Sequence, residues 1–183
     1  MVKYSYKVFK PKVKAMSLNF IPDFRFKSFD EATPDFLLSL GIRGVILDID
    51  NTLEPYEHPD PGEQVVLWLH SLWDAGIKTS IVSNNDSSRV ERFNSTLGMP
   101  AYPKGKKPFK KNLLRAMRDM GTDRETTVLM GDQVFTDVWA AHNAGIRAIL
   151  VPPIKDKTDL LTRFKRLLEK PILRKYERRK NNK

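Results

Sequence analysis

The decapeptide GVILDIDNTL, residues 44–53, sets an unbroken apolar run directly before two aspartates spaced two positions apart. A run with no polar alternation reads as a strand covered on both faces, as in a parallel sheet. A buried, unpaired carboxylate costs several kcal/mol, so Asp48 and Asp50 need a compensating charge or an open strand end. Outward from this stretch the pattern alternates. GEQVVLWLHSLWDAG reads as a helix, IKTSIVS as a second strand, and DSSRVERFNSTLG as a helix opened by Asp86 or Ser87 and closed by Gly98. KKNLLRAMRDMG, TTVLMG, FTDVWAAHNAG and IRAILV continue as helix, strand, helix and strand, and DKTDLLTRFKRLLEK ends the series as an amphipathic helix. Upstream, DEATPDFLLSLGI offers caps and a short helix ended by Gly41. Strands joined through helices imply right-handed parallel crossovers. The expected fold class is α/β, a Rossmann-like parallel sheet sandwiched by helices. Sites in such sheets form outside the carboxyl ends of the strands, so Asp48 and Asp50 are expected at a mouth.

Four features share that edge. In Asp48-Ile49-Asp50-Asn51-Thr52, positions two apart face one way. IVSNN puts Ser83 and Asn84 after the second strand, and KGKKP puts Lys104, Lys106 and Lys107 before a helix led by proline. VLMGDQVFTD puts Asp132 and Asp137 after the strand TTVLM, with Gly131 permitting a tight turn. Asp48, Asp50 and Asp132 are hard oxygen donors of the kind magnesium prefers. Without a cation they would repel one another and any phosphate. Ser83 and a lysine are donors for phosphoryl oxygens, and a carboxylate attacking phosphorus splits one hard hydrolysis into two easier steps. Each feature alone is a common turn or surface pattern; the ordered set points to phosphoryl chemistry. The choice among Lys104, Lys106 and Lys107 stays open.

DIDNT, SNN, KKP and GDQVFTD resemble motifs one to four of the haloacid dehalogenase superfamily of phosphatases, over roughly residues 40–150. The resemblance implies Asp48 as nucleophile and Asp50 as general acid and then base. It implies Ser83 and Lys107 as phosphate ligands, with Thr52 and Asn84 beside them. It also implies a magnesium site built from Asp48, the main-chain carbonyl of Asp50, Asp132 and Asp137. Only LEPYEHPDPG follows motif one, and one helix and a loop lie between Ser83 and Lys107, so there is no room for a large cap domain. The chain thus resembles the capless type IIIA branch. LDIDNTL and GDQVFTDVWAAHNAG are similar to its YqeG-like phosphatidylglycerophosphatase group, which implies a lipid-phosphate substrate and a place in phospholipid biosynthesis.

The 183 residues, 40% of them hydrophobic, suffice for one core of ordinary size. The absence of cysteine rules out disulfides and thiolate zinc sites and fits a reducing cytosol. No stretch approaches the roughly 20 apolar residues of a spanning helix, and no secretory leader is expected from MVKYSYKVFKPKVK. The net charge of +10 gathers at the ends. Residues 1–14 carry five lysines and no acid, residues 170–183 carry seven basic residues against Glu177, and the body is close to neutral. Cationic ends suit a polyanion, here an anionic membrane surface ahead of nucleic acid. Phe20, Phe24, Phe26 and Phe29 are open to two readings, dipping into that interface or packing as ordinary core. The expected partition is a basic, aromatic-rich segment over 1–39, the phosphatase domain over 40–170 and a basic tail over 171–183. The expected location is the cytoplasm, peripheral at the inner membrane face. The alternatives are a phosphatase for a soluble or nucleic-acid phosphate and a non-catalytic RNA- or ribosome-binding protein, the latter disfavoured by the intact motifs.

Overall fold

The structure is a computed structural model that describes residues 19–155 and 160–181; the lysine-rich stretch 1–14 lies outside the described residues. Strands β1 (Phe24–Arg25), β2 (Gly44–Leu47), β3 (Lys78–Val82), β4 (Ala101–Tyr102), β5 (Thr127–Gly131) and β6 (Arg147–Leu150) form one sheet in the order β1-β6-β5-β2-β3-β4. Every pairing in it is parallel. Helices α1 (Pro34–Ser39), α2 (Glu63–Asp74), α3 (Ser87–Asn94), α4 (Lys111–Met120), α5 (Trp139–Ala144) and α6 (Leu160–Asn181) cover its faces.

Alternation along β2 divides the interior. Val45 and Leu47 join one core with Leu37 of α1, Leu69 and Leu72 of α2, and Val90 and Phe93 of α3. Ile46 joins the other, with Leu113 and Met117 of α4, Ala140, Ala141 and Ala144 of α5, and Ile172 and Leu173 of α6 against it. Because both faces are covered, β2 is buried along its whole length, as its unbroken apolar run requires. Local chemistry sets the helix ends. Thr33 accepts from the Phe36 amide at 3.2 Å with Pro34 in the first turn, and Asp86 accepts from the Arg89 amide at 3.0 Å.

Four features depart from the sequence expectations or resolve them. Strands β1 and β4 hold two residues each, too few for a period to register, and they close the two edges of the sheet. Of the phenylalanines of the N-terminal segment, Phe29 is buried in the core, and Phe20, Phe24 and Phe26 are half-buried and pack against it. Phe24 and Phe26 meet Phe36 edge-on at 5.3 and 5.1 Å, Phe20 meets Trp139 at 5.2 Å, and buried Phe29 meets Trp68 at 5.2 Å. The helix expected over FTDVWAAHNAG begins instead as a wide π-turn, Val134–Val138, which then tightens into α5. Finally, α6 does not stop at Lys170 but continues through Pro171 to Asn181. Proline costs a helix one backbone hydrogen bond. Packing of Ile172 and Leu173 and an Arg25–Glu177 ion pair at 2.9 Å hold the continuation against the sheet. No helix among the described residues is long and apolar enough to cross a membrane.

Candidate active site

From β2 the chain builds β3 and β4 outward on one side, then returns to lay β5 on the other side of β2. The crevice where strand order reverses therefore opens at the carboxyl ends of β2 and β5. Leu47 pairs with Met130, and the Asp48 amide donates to the Met130 carbonyl at 3.0 Å, so Asp48 and Asp132 emerge side by side. The π-turn brings in Asp137, and carboxylate oxygens of Asp48, Asp132 and Asp137 all lie within 4.8 Å of one another, every residue buried. The Gln133 amide donates to Asp137 Oδ2 at 3.0 Å and fixes that carboxylate. Gly131 serves this approach through its lack of a side chain: a Cβ there would stand 2.3 Å from Asp137 Cγ.

Among the three lysines, Lys107 reaches the carboxylates. Its Nζ lies 2.8 Å from Asp48 Oδ1 and 2.6 Å from Asp137 Oδ1, whereas Lys104 and Lys106 are exposed. Asn84, expected to touch substrate, has both amide atoms on the Lys107 main chain: Oδ1 accepts from its N–H at 2.7 Å, and Nδ2 donates to its carbonyl at 3.2 Å. It positions the lysine. Ser83 is buried, and its Oγ accepts from the Asn85 amide at 3.1 Å, leaving the hydroxyl proton to donate. Thr52 is buried in the turn after β2, and its Oγ1 finds no hydrogen-bond partner among the described residues.

Burial acts most strongly on Asp48 and, with the charges of Asp137 and Asp50, pushes its carboxyl up to about 7 against the pull of Lys107. Burial works against charge on Lys107 too, but Asp137 and Asp48 outweigh it and hold the ammonium above its ordinary range. The three clustered carboxylates gather more negative charge than the one ammonium shared by Asp48 and Asp137 can offset. That donor set fits one divalent cation.

The Asp50 side chain stands outside the cluster. Arg89 Nε donates to its Oδ1 at 3.0 Å and Asn85 Nδ2 to its Oδ2 at 2.9 Å. Arg89 also donates to the Pro59 carbonyl at 2.7 Å, and its Nη2 is buried with no hydrogen-bond partner among the described residues. Neither Arg89 nor Asn85 is foreseen from the motifs. Arg89 reads as an ordinary residue of a capped helix, and only the fold brings it to a partner 39 positions away. Glu169 of α6 is a third such residue, buried, with Oε1 accepting from the Val134 amide at the head of the π-turn at 3.0 Å.

This arrangement has relatives. The chain is 37% identical over 160 residues to a protein named probable phosphatase YqeG from Bacillus subtilis (strain 168), covering 87% of this chain and 93% of that one. Its fold matches the cobalt-bound deoxy-D-mannose-octulosonate 8-phosphate phosphatase YrbI of Haemophilus influenzae (TM-score 0.51, 21% identity, 62% of this chain and 80% of that one). It also matches a HAD phosphatase of Thermococcus onnurineus (TM-score 0.51, 15% identity, 64% and 88%). The family described as haloacid dehalogenase-like hydrolase matches residues 42–151, which hold every strand from β2 to β6 and all of the clustered acids. With sequence, fold and donor set in agreement, the chain belongs to the haloacid dehalogenase-like hydrolases.

Proposed function

We propose that this chain is a magnesium-dependent phosphomonoesterase that works through an aspartyl-phosphate on Asp48, and that it converts phosphatidylglycerophosphate to phosphatidylglycerol. The reaction rests on one observation above all, the buried contact of Lys107 with Asp48 and Asp137 at the strand ends. An Asp48 carboxylate oxygen attacks phosphorus and the bond to the lipid alcohol breaks. Asp50 in its acid form gives the leaving oxygen a proton. As a carboxylate it then takes a proton from the water that attacks phosphorus, which frees Asp48 and releases orthophosphate. Lys107 keeps Asp48 oriented and offsets charge on the phosphoryl oxygens, and Ser83 and Thr52 hydroxyls donate to them. A divalent cation held by Asp48, Asp132 and Asp137 would reduce the repulsion between the nucleophile and an anionic phosphate.

The open mouth supports a substrate held at a surface. After β2 only a short loop precedes α2, folded back by the Gly62 amide donating to Glu54 Oε1 at 2.8 Å, and no cap domain covers the crevice among the described residues. Small metabolites gain from enclosure; a headgroup in a bilayer is already held. The relative named a probable phosphatase, matched over most of both chains, supports the reaction class. The test is phosphate release from phosphatidylglycerophosphate, sugar phosphates and 3′- or 5′-phosphorylated oligonucleotides, with magnesium and with chelator. Magnesium-dependent preference for the lipid is expected. Preference for another class refutes the substrate, and turnover in chelator refutes the metal.

A further inference from the structure

The phenylalanines of the N-terminal segment are buried or half-buried against the core, and the exposed large apolar side chains stand elsewhere. Tyr56 is 51% exposed, Phe109 60% and Ile154 48%. Tyr56 sits on the loop after β2, Phe109 on the loop after β4, and Ile154 just after β6. In a wholly parallel sheet these loops leave by one edge, the edge that carries Asp48. They occupy three stations across it, since β6 and β4 each lie two strands from β2 on opposite sides. The other exposed large apolar residues among those described, Leu67 and the pair Leu167 and Leu168, lie on helices α2 and α6 rather than on these loops.

The tips are tied to the site. The Ile154 amide donates to the Asn51 carbonyl at 3.0 Å, and Lys155 pairs with Glu57, next to Tyr56, at 2.7 Å. Phe109 follows Lys107 by two residues and lies in KGKKPFKK, residues 104–111, where Lys104, Lys106 and Lys111 are exposed. Nearby acids Glu57 and Asp60 are paired with Lys155 and Arg92. Asp86 caps α3 beside Lys104. The rim therefore carries single apolar tips set among surplus cations.

We propose that this edge is a docking surface for an anionic bilayer, with Tyr56, Phe109 and Ile154 entering the headgroup boundary and Lys104, Lys106 and Lys111 over lipid phosphates. A protein partner would call for a closely packed apolar centre depleted of charge. Scattered tips between lysines suit an interface that is apolar below and anionic above. Docking in this pose lays the mouth on the headgroup plane, and in this respect the proposal rests on the lipid reading above.

The test is flotation of the full chain with vesicles of phosphatidylglycerol and phosphatidylcholine, against vesicles of phosphatidylcholine alone. Phe109→Ser/Ile154→Ser is expected to weaken binding roughly tenfold or more at an unchanged melting midpoint, while Leu67→Ser binds as the parent does. Lys104→Glu/Lys106→Glu, both on exposed positions, is expected to lose at least tenfold at low salt and little at high salt. Parental flotation of both double variants overturns the proposal. So does equal binding to neutral vesicles, or retention on RNA without flotation. Flotation does not depend on turnover. A chain that docks through these residues yet leaves phosphatidylglycerophosphate intact sinks the substrate reading alone, and turnover without rim dependence sinks the docking surface alone.

Discussion

Replacing Lys107 by methionine keeps most of the length of a side chain that is 1% exposed and removes its charge. The ammonium faces Asp48 at 2.8 Å and Asp137 at 2.6 Å, with Asp132 in the same cluster, so the variant takes the shared cation from two buried acids beside a third. Removing one partner of a buried ion pair costs about 3–5 kcal/mol. The sign of the pH dependence follows from Asp48. Its folded pKa, already raised to about 7, rises further without Lys107. A carboxyl raised on folding favours the native state at low pH, and that contribution is lost as pH rises through the folded value. The stability deficit of Lys107→Met should therefore be largest near pH 8 and shrink toward pH 5. Magnesium should recover more stability in the variant than in the parent, since the site has lost its internal competitor for the same oxygens. Urea unfolding followed by tryptophan fluorescence, with chelator and with magnesium, reads all three effects. Turnover should fall by about 10²–10³-fold with the loss of a preorganised donor. A deficit below about 1 kcal/mol, or one that is flat between pH 5 and 8, would refute the account of the cluster.

Arg89→Lys keeps the charge but loses the fork that joins Asp50 to the Pro59 carbonyl, so kcat should fall about 10- to 100-fold with KM little changed. An unchanged kcat would mean that Asp50 does not depend on Arg89. Gly131→Ala places a Cβ 2.3 Å from Asp137 Cγ. Overpacking of this kind costs about 1–3 kcal/mol, and magnesium titration should show weaker binding; parental affinity contradicts the packing argument. Both ring nitrogens of His142 face acceptors, the Asn19 carbonyl at 2.7 Å and Asp23 Oδ2 at 3.0 Å, so the imidazolium fits best. Burial opposes its charge, but these bonds outweigh it and hold its pKa above 6.5. The tie is complete below that value and lost as pH rises through the folded pKa, so amide exchange at Ala148, whose N–H donates to Asp23 at 2.8 Å, should quicken over that range. A histidine NMR titration at or below 6.5 contradicts this.

The sheet was legible because its central strands are unbroken apolar runs whose buried state leaves no other pattern, and because helices separate them. The edge strands were not, since two residues carry no period, and β1 and β4 are defined by their partners. The site divides the same way. Asp48 and Asp132 follow directly from strand ends, whereas Lys107 is separated from Lys104 and Lys106 only by burial and by the clamp from Asn84. Arg89 and Glu169 act across the fold, at distances in sequence that no local pattern encodes. The π-turn was hidden because its residues also suit an α-helix, and the widening reflects where Asp137 must lie.

The central claim is that phosphorus passes through a bond to Asp48. The direct measurement is to quench the enzyme during turnover of a phosphomonoester, reduce the acyl phosphate with borohydride and locate the change by peptide mass spectrometry. The account predicts a single reduced aspartate, at Asp48, formed only with a divalent cation and absent from Asp48→Asn. Full turnover by Asp48→Asn, or reduction at another carboxylate, would contradict it.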